Sequence, residues 1–168
     1  MALPQVRRVV TAYDDSTGLS VFSQDKLVEK VEVRPGSTQT MFSQLWGTTS
    51  SPAQLEFANG KDGADTVGAP IVNPGGSTFR IIDSEAGKAS PMHRTESLDY
   101  IIMLQGEITL ELEDGQKTVL KAGDVAIQQG TLHKWINHTQ ETARFACIAL
   151  PAGPVQIAGK SLAGPVLP

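Results

Sequence analysis

Apolar residues in this chain come in short runs. Most alternate with polar neighbours and are bounded by Gly, Pro, Asn or Asp, and few stretches have helical periodicity. A period of two is the mark of a strand with one buried face, and frequent turn residues keep such strands short. The pattern predicts strands over residues 6–12 and 19–22, joined by the Asp14-Asp15-Ser16-Thr17-Gly18 turn, and another over 39–46. Residues 47–76 carry little pattern and are rich in Gly, Ser, Pro, Ala and Asp, which suits a lid or binding loop beside a cavity mouth. Strands then follow quickly, over 78–83, 100–105, 107–113, 118–120, 125–128, 133–136 and 144–150, with a hairpin turn at Asp114-Gly115. The continuous apolar run 100–105 reads as a strand buried on both faces. Many short antiparallel strands predict an all-β sandwich or barrel of the jelly-roll kind.

The 168 residues suit one domain. Within it, residues 1–76 supply N-terminal strands and the long loop, 77–151 the core, and 152–168 a tail with an edge strand. A net charge of −4 and no basic run argue against nucleic acid as a partner. No apolar stretch reaches the ~20 residues that span a bilayer, and the first ten residues lack the apolar centre of a secretion signal. With the single Cys147 ruling out an internal disulfide, the expectation is a cytoplasmic protein without membrane partners.

Two of the three histidines sit in spaced motifs. The first runs from Gly87 through His93, Thr95 and Asp99 to Gly106. The second runs from Gly123-Asp124 through Gly130, His133 and Trp135 to Asn137. Residues two apart on a strand share a face, so Thr95 points inward if His93 does, and Trp135 shares the inward face with His133. Glu96, Ser97 and Leu98 are then expected to turn the chain, leaving Asp99 to open the next strand and point back to the same centre. Tyr100 and Arg94 face away by the same parity. Gln128 and Gln105 are candidate inward polar groups. Arg80 suits a substrate carboxylate, with surface exposure as the plainer reading. Trp135 is core or a pocket wall, and Cys147 a buried small hydrophobe.

These motifs resemble those of the cupin superfamily. In that family the first motif sets two histidines and a glutamate between glycines, and the second sets a histidine and an asparagine. The similarity is closest to small single-domain cupins of fungi and bacteria, through His-Arg-Thr-x-Ser-x-Asp-Tyr at 93–100 and Gln-Gly-Thr-x-His-x-Trp at 129–135. It implies a cupin jelly-roll barrel with additional N-terminal strands, and a homodimer. Carried over by position, His93 and His133 match metal ligands, Asp99 stands for the glutamate one methylene shorter, and Thr95 replaces the second histidine. Gln128 stands where the second motif has proline.

Two histidines and a carboxylate with open positions suit a divalent Fe, Zn, Ni or Mn ion, which would polarise a carbonyl or bind a carboxylate. Without metal, the same residues form a polar cluster able to act as general acid and base. The expected function is turnover of a small carbonyl- or carboxylate-bearing substrate at His93, Asp99 and His133, by a metal-assisted lyase or isomerase reaction such as decarboxylation or dehydration. Thr95, Trp135, Gln128 and Arg80 would line the substrate pocket. An Fe(II) dioxygenase and a non-catalytic sensor are the competing expectations.

Overall fold

A computed structural model describes residues 3–33, 40–55, 62–66, 70–162 and 164–166. Strands β1 (Val6–Tyr13) and β2 (Ser20–Val28) form a separate antiparallel hairpin, as the turn at 14–18 requires. They are followed by β3 (Val31–Glu32), β4 (Thr40–Gly47) and a one-turn helix α1 (Gly63–Thr66) inside the long unpatterned segment. The rest of the barrel is β5 (Thr78–Ser84), β6 (Ser97–Gln105), β7 (Glu107–Leu112), β8 (Lys117–Lys121), β9 (Val125–Gln129), β10 (His133–Ile136) and β11 (Ala143–Pro151). The tail adds a two-stranded hairpin, β12 (Gln156–Ile157) with β13 (Lys160–Ser161), where one edge strand was expected. Among the described residues the structure is therefore all-β apart from α1.

The barrel is built from two sheets. One is ordered β3-β4-β5-β11-β6-β9 and the other β10-β7-β8. Between them Ile101, Met103, Ile108, Leu120, Trp135, Ala143 and Phe145 form the main core. On the outer face of the larger sheet, Leu45, Ile81 and Ala146 make a second cluster, closed by Val6 and Val28 at the base of the β1–β2 hairpin. Arg8 fixes that hairpin in place. It is buried, donates to the Leu45 carbonyl at 2.8 Å, and pairs with buried Asp62 just ahead of α1. Gly63 lies flat on Trp46, where any Cβ would come within 2.3 Å of the indole.

Two expectations are corrected. The run 100–105 is not buried on both faces: Tyr100, Ile102 and Leu104 are exposed while Ile101 and Met103 are buried. An all-apolar run fits an alternating strand here because the outer face stays uncovered by this chain's described residues. Gln105 is exposed rather than inward. Among the motif residues, Asn137 is wholly buried and structural: its amide donates to the carbonyls of Ser84 and Glu141 and accepts from Thr139, bracing the turn into β11.

Candidate active site

The ladder registers decide what faces the interior. Thr78, Ala149, Asp99 and Gln128 form one row across β5, β11, β6 and β9. Arg80, Cys147, Ile101 and Ala126 form the adjacent row, two residues along each strand and so on the same face. These residues, apart from Ala149 and Ala126, line a cavity of about 680 Å³ together with Phe42, Ile71, Ile82, Ser90, His93, Thr95, His133, Trp135 and Phe145. That size suits an organic ligand. Ile71 and the Pro70 carbonyl, which accepts from Arg80 at 2.6 Å, bring the end of the long segment to the cavity, as expected of a binding loop. Residues 56–61 and 67–69 of that segment lie outside the described residues.

All the named site residues reach this cavity. His93, half-buried, and His133, buried, are joined by reciprocal backbone hydrogen bonds of 2.8 and 2.9 Å, and their ring centroids lie 4.2 Å apart. Each ring is held alike: Nδ1 lies 2.9 Å from the carbonyl two residues earlier, Pro91 for His93 and Thr131 for His133. A carbonyl only accepts, so Nδ1 carries the proton in both and the Nε2 lone pairs remain. The Gln128 amide nitrogen lies 2.8 Å from His133 Nδ1 and 2.9 Å from Nε2, and of the two only Nε2 has a lone pair to accept from it. Burial and the neighbouring His93 hold the His133 pKa down at about 4, so its imidazole is neutral at physiological pH.

Asp99 behaves in the opposite sense. Burial pushes its carboxyl above the usual range, against the lowering effect of the nearby Ser97 and Thr95 hydroxyls. Those hydroxyls also bond each other at 2.7 Å. Thr95 thus serves the carboxyl rather than standing in for a histidine ligand. Ser97 corrects the expected turn: it is the first residue of β6, almost wholly buried, and it belongs to the site. Positions 93, 95, 97 and 99 continue a single inward parity, and that was the signal for it.

Arg80 corrects the surface reading, since it is buried. Its Nε bonds Gln44 Oε1 at 2.5 Å and its guanidinium lies 4.5 Å from the Phe42 ring centroid. Trp135 is both core and wall, edge-on to His133 at 5.7 Å and packed on Phe145 at 5.4 Å. Cys147 lines the cavity, but burial and the nearby Asp99 push its thiol up to about 12, which suits the inert reading. Arg94 does face away, donating to the Gly164 carbonyl at 2.6 Å.

The donor set matches a metal in kind, with two imidazole nitrogens and a carboxylate. The arrangement does not gather them, and among the described residues no group of three His, Cys, Asp or Glu side chains is placed to hold an ion. Gln128 engages one nitrogen, and Thr95 and Ser97 hold the carboxyl on the opposite sheet.

Among the described residues, no helix is long and apolar enough to cross a membrane. The family model described as "Cupin domain" matches residues 80–149. A Phomopsin biosynthesis cluster protein D from Diaporthe leptostromiformis is 39% identical over 96% of this chain and 88% of its own length. The cupin-domain-containing oxidoreductase fogC of Aspergillus ruber is 30% identical over 96% of this chain and 80% of its own. Among solved structures, the polyketide cyclase RemF from Streptomyces resistomycificus has a TM-score of 0.50 at 18% identity, covering 73% of this chain and 72% of that one, a likeness of fold. The chain belongs to the cupin family.

Proposed function

We propose that this protein is a small-molecule enzyme that moves protons on a carbonyl- or carboxylate-bearing substrate, as an isomerase or non-oxidative lyase. The observation that carries the reading is the pair of oppositely displaced groups in one cavity: an imidazole kept neutral at His133 and a carboxyl raised at Asp99. Environments that push two titratable groups apart supply an acid–base pair. His133 accepts through Nε2 once the Gln128 amide yields, and Asp99 holds or gives a proton at its carboxyl. Arg80 offers positive charge to a substrate carboxylate or enolate, and Trp135 and Phe145 form an apolar wall. Relatives named for phomopsin and oryzines biosynthesis clusters support a biosynthetic substrate.

The test is deuterium incorporation from D2O into a panel of ketones, enones and β-hydroxy acids, followed by NMR. Incorporation that falls about 100-fold or more in both Asp99→Asn and His133→Ala supports the reading, and incorporation unaffected by either variant sinks it.

A metal-dependent reading, including Fe(II) oxygen chemistry, draws on the two Nδ1–H groups tied to backbone carbonyls, as in metal-binding histidines. Relatives named as oxidoreductases also favour it. Its test is elemental analysis, with stoichiometric Fe, Zn, Ni or Mn lost in His93→Ala and His133→Ala. We further propose a homodimer in the cytoplasm. The outward Tyr100, Ile102, Leu104, Val125 and Ile127 form an apolar strip on β6 and β9, and light scattering of the purified protein checks the assembly.

A further inference from the structure

We propose that the deep end of the cavity, at Asp99 and Gln128, recognises a hydrogen-bond donor on the ligand, an alcohol, enol or phenol hydroxyl, and disfavours an anionic group there. The inference rests on the reading that this cavity is the substrate site. Asp99 and Gln128 are direct cross-strand partners on β6 and β9, both more than nine-tenths buried and both lining the cavity. Asp99 Oδ1 and Gln128 Oε1 are each buried without a hydrogen-bond partner. Few protein acceptors are left in that condition, and a cavity where two stand side by side lacks a donor.

The orientation of the glutamine is settled by the histidine beyond it. The Gln128 nitrogen lies 2.8 Å from His133 Nδ1 and 2.9 Å from Nε2, and with the Nδ1 proton turned to the Thr131 carbonyl the free lone pair is on Nε2, which assigns the Gln128 end facing the ring as the amide NH2. The other end is then an oxygen. Of the nearby donors, one of the Thr95 and Ser97 hydroxyls gives its proton to the other, which leaves a single hydroxyl proton for one Asp99 oxygen, and the His133 N–H bonds the backbone. The unmatched capacity at this end is therefore for accepting. A ligand hydroxyl supplies the missing proton to Gln128 Oε1, whereas a ligand carboxylate would set oxygen against that oxygen. Gln128 becomes a specificity residue, and the substrate class narrows to hydroxyl-bearing ring or chain compounds small enough for the cavity.

Calorimetric titration with 2-naphthol, 2-methoxynaphthalene and 2-naphthoate tests this on the full chain. We expect 2-naphthol to bind about tenfold tighter than the methyl ether, the worth of one hydrogen bond, and 2-naphthoate to bind weakest. Gln128→Met should bring 2-naphthol down to the level of the ether while ether binding is retained, which also shows that the cavity has folded. Gln128→Glu, which keeps an acceptor, should preserve the preference. Equal binding of naphthol and ether, tightest binding of naphthoate, a preference that survives in Gln128→Met, or no binding of any probe would overturn the proposal. Donor selectivity without deuterium exchange sinks the proton-transfer reading alone. Exchange without donor selectivity sinks this inference alone.

Discussion

Asp62 and Asp99 are both buried aspartates, 8% and 7% exposed, and their surroundings give them opposite chemistry. Asp62 faces two cations, Arg8 and Lys26, and accepts from the Ala64 amide, so its pKa falls to about 2 despite burial. Asp99 has two hydroxyls and no cation among the causes that set its pKa, and burial prevails. A carboxylate buried with guanidinium is an anchor, tying the β1–β2 hairpin and α1 to the barrel. A carboxyl buried among neutral partners has its pKa moved the other way, upward. The comparison separates the residues that hold the fold from those that serve the cavity.

The largest effect should come from breaking the anchor. Asp62→Ala leaves Arg8 buried and uncompensated, and urea unfolding should show a loss of about 3–5 kcal/mol. Next is the acid limb of stability. His133 has a folded pKa below its ordinary value, so the unfolded chain binds the proton more readily and stability falls with pH between about 6.5 and 4. The full drop is on the order of 3 kcal/mol, and His133→Gln should lack it in pH-dependent unfolding.

Asp99→Asn should lower turnover about 100-fold or more. It should also make the fold more stable at neutral pH, since a raised carboxyl favours the folded state at low pH and loses that contribution as pH rises. A fall in stability comparable to that of Asp62→Ala would erase the distinction drawn above. The smallest effect belongs to Arg7, next in sequence to Arg8. Its bidentate pair with Asp25 is exposed, so Arg7→Ala should leave the unfolding midpoint unchanged.

Much of this was legible in the chain. Period-two patterning marked the strands because one face of each meets a core, and the odd positions 93 and 95 and the pair 133 and 135 do point inward. Ser97 escapes a sequence reading because a polar Glu-Ser pair before an apolar run reads as a turn, whereas Ser97 is satisfied inside by the Thr95 hydroxyl. Arg80 reads from sequence either as a pocket cation or as a surface one, because burial of a guanidinium depends on what closes over it, here the Pro70 carbonyl and the sequence-distant Phe42 and Gln44. The outer face of β6 shows the converse: an apolar run records what a strand tolerates, and whether anything covers Ile102 and Leu104 is not encoded within the strand itself. Gln128 was placed inward, but its role could not be read without the tautomer of His133.

The most direct measurement of the central claim is an NMR pH titration of the His133 ring nitrogens and the Asp99 carboxyl carbon. The account predicts a neutral His133 with its proton on Nδ1 down to about pH 4, together with an Asp99 carboxyl that titrates above the range of an ordinary aspartate. A His133 that gains its proton near pH 6.5, or an Asp99 that titrates as low as the paired Asp62, would contradict it.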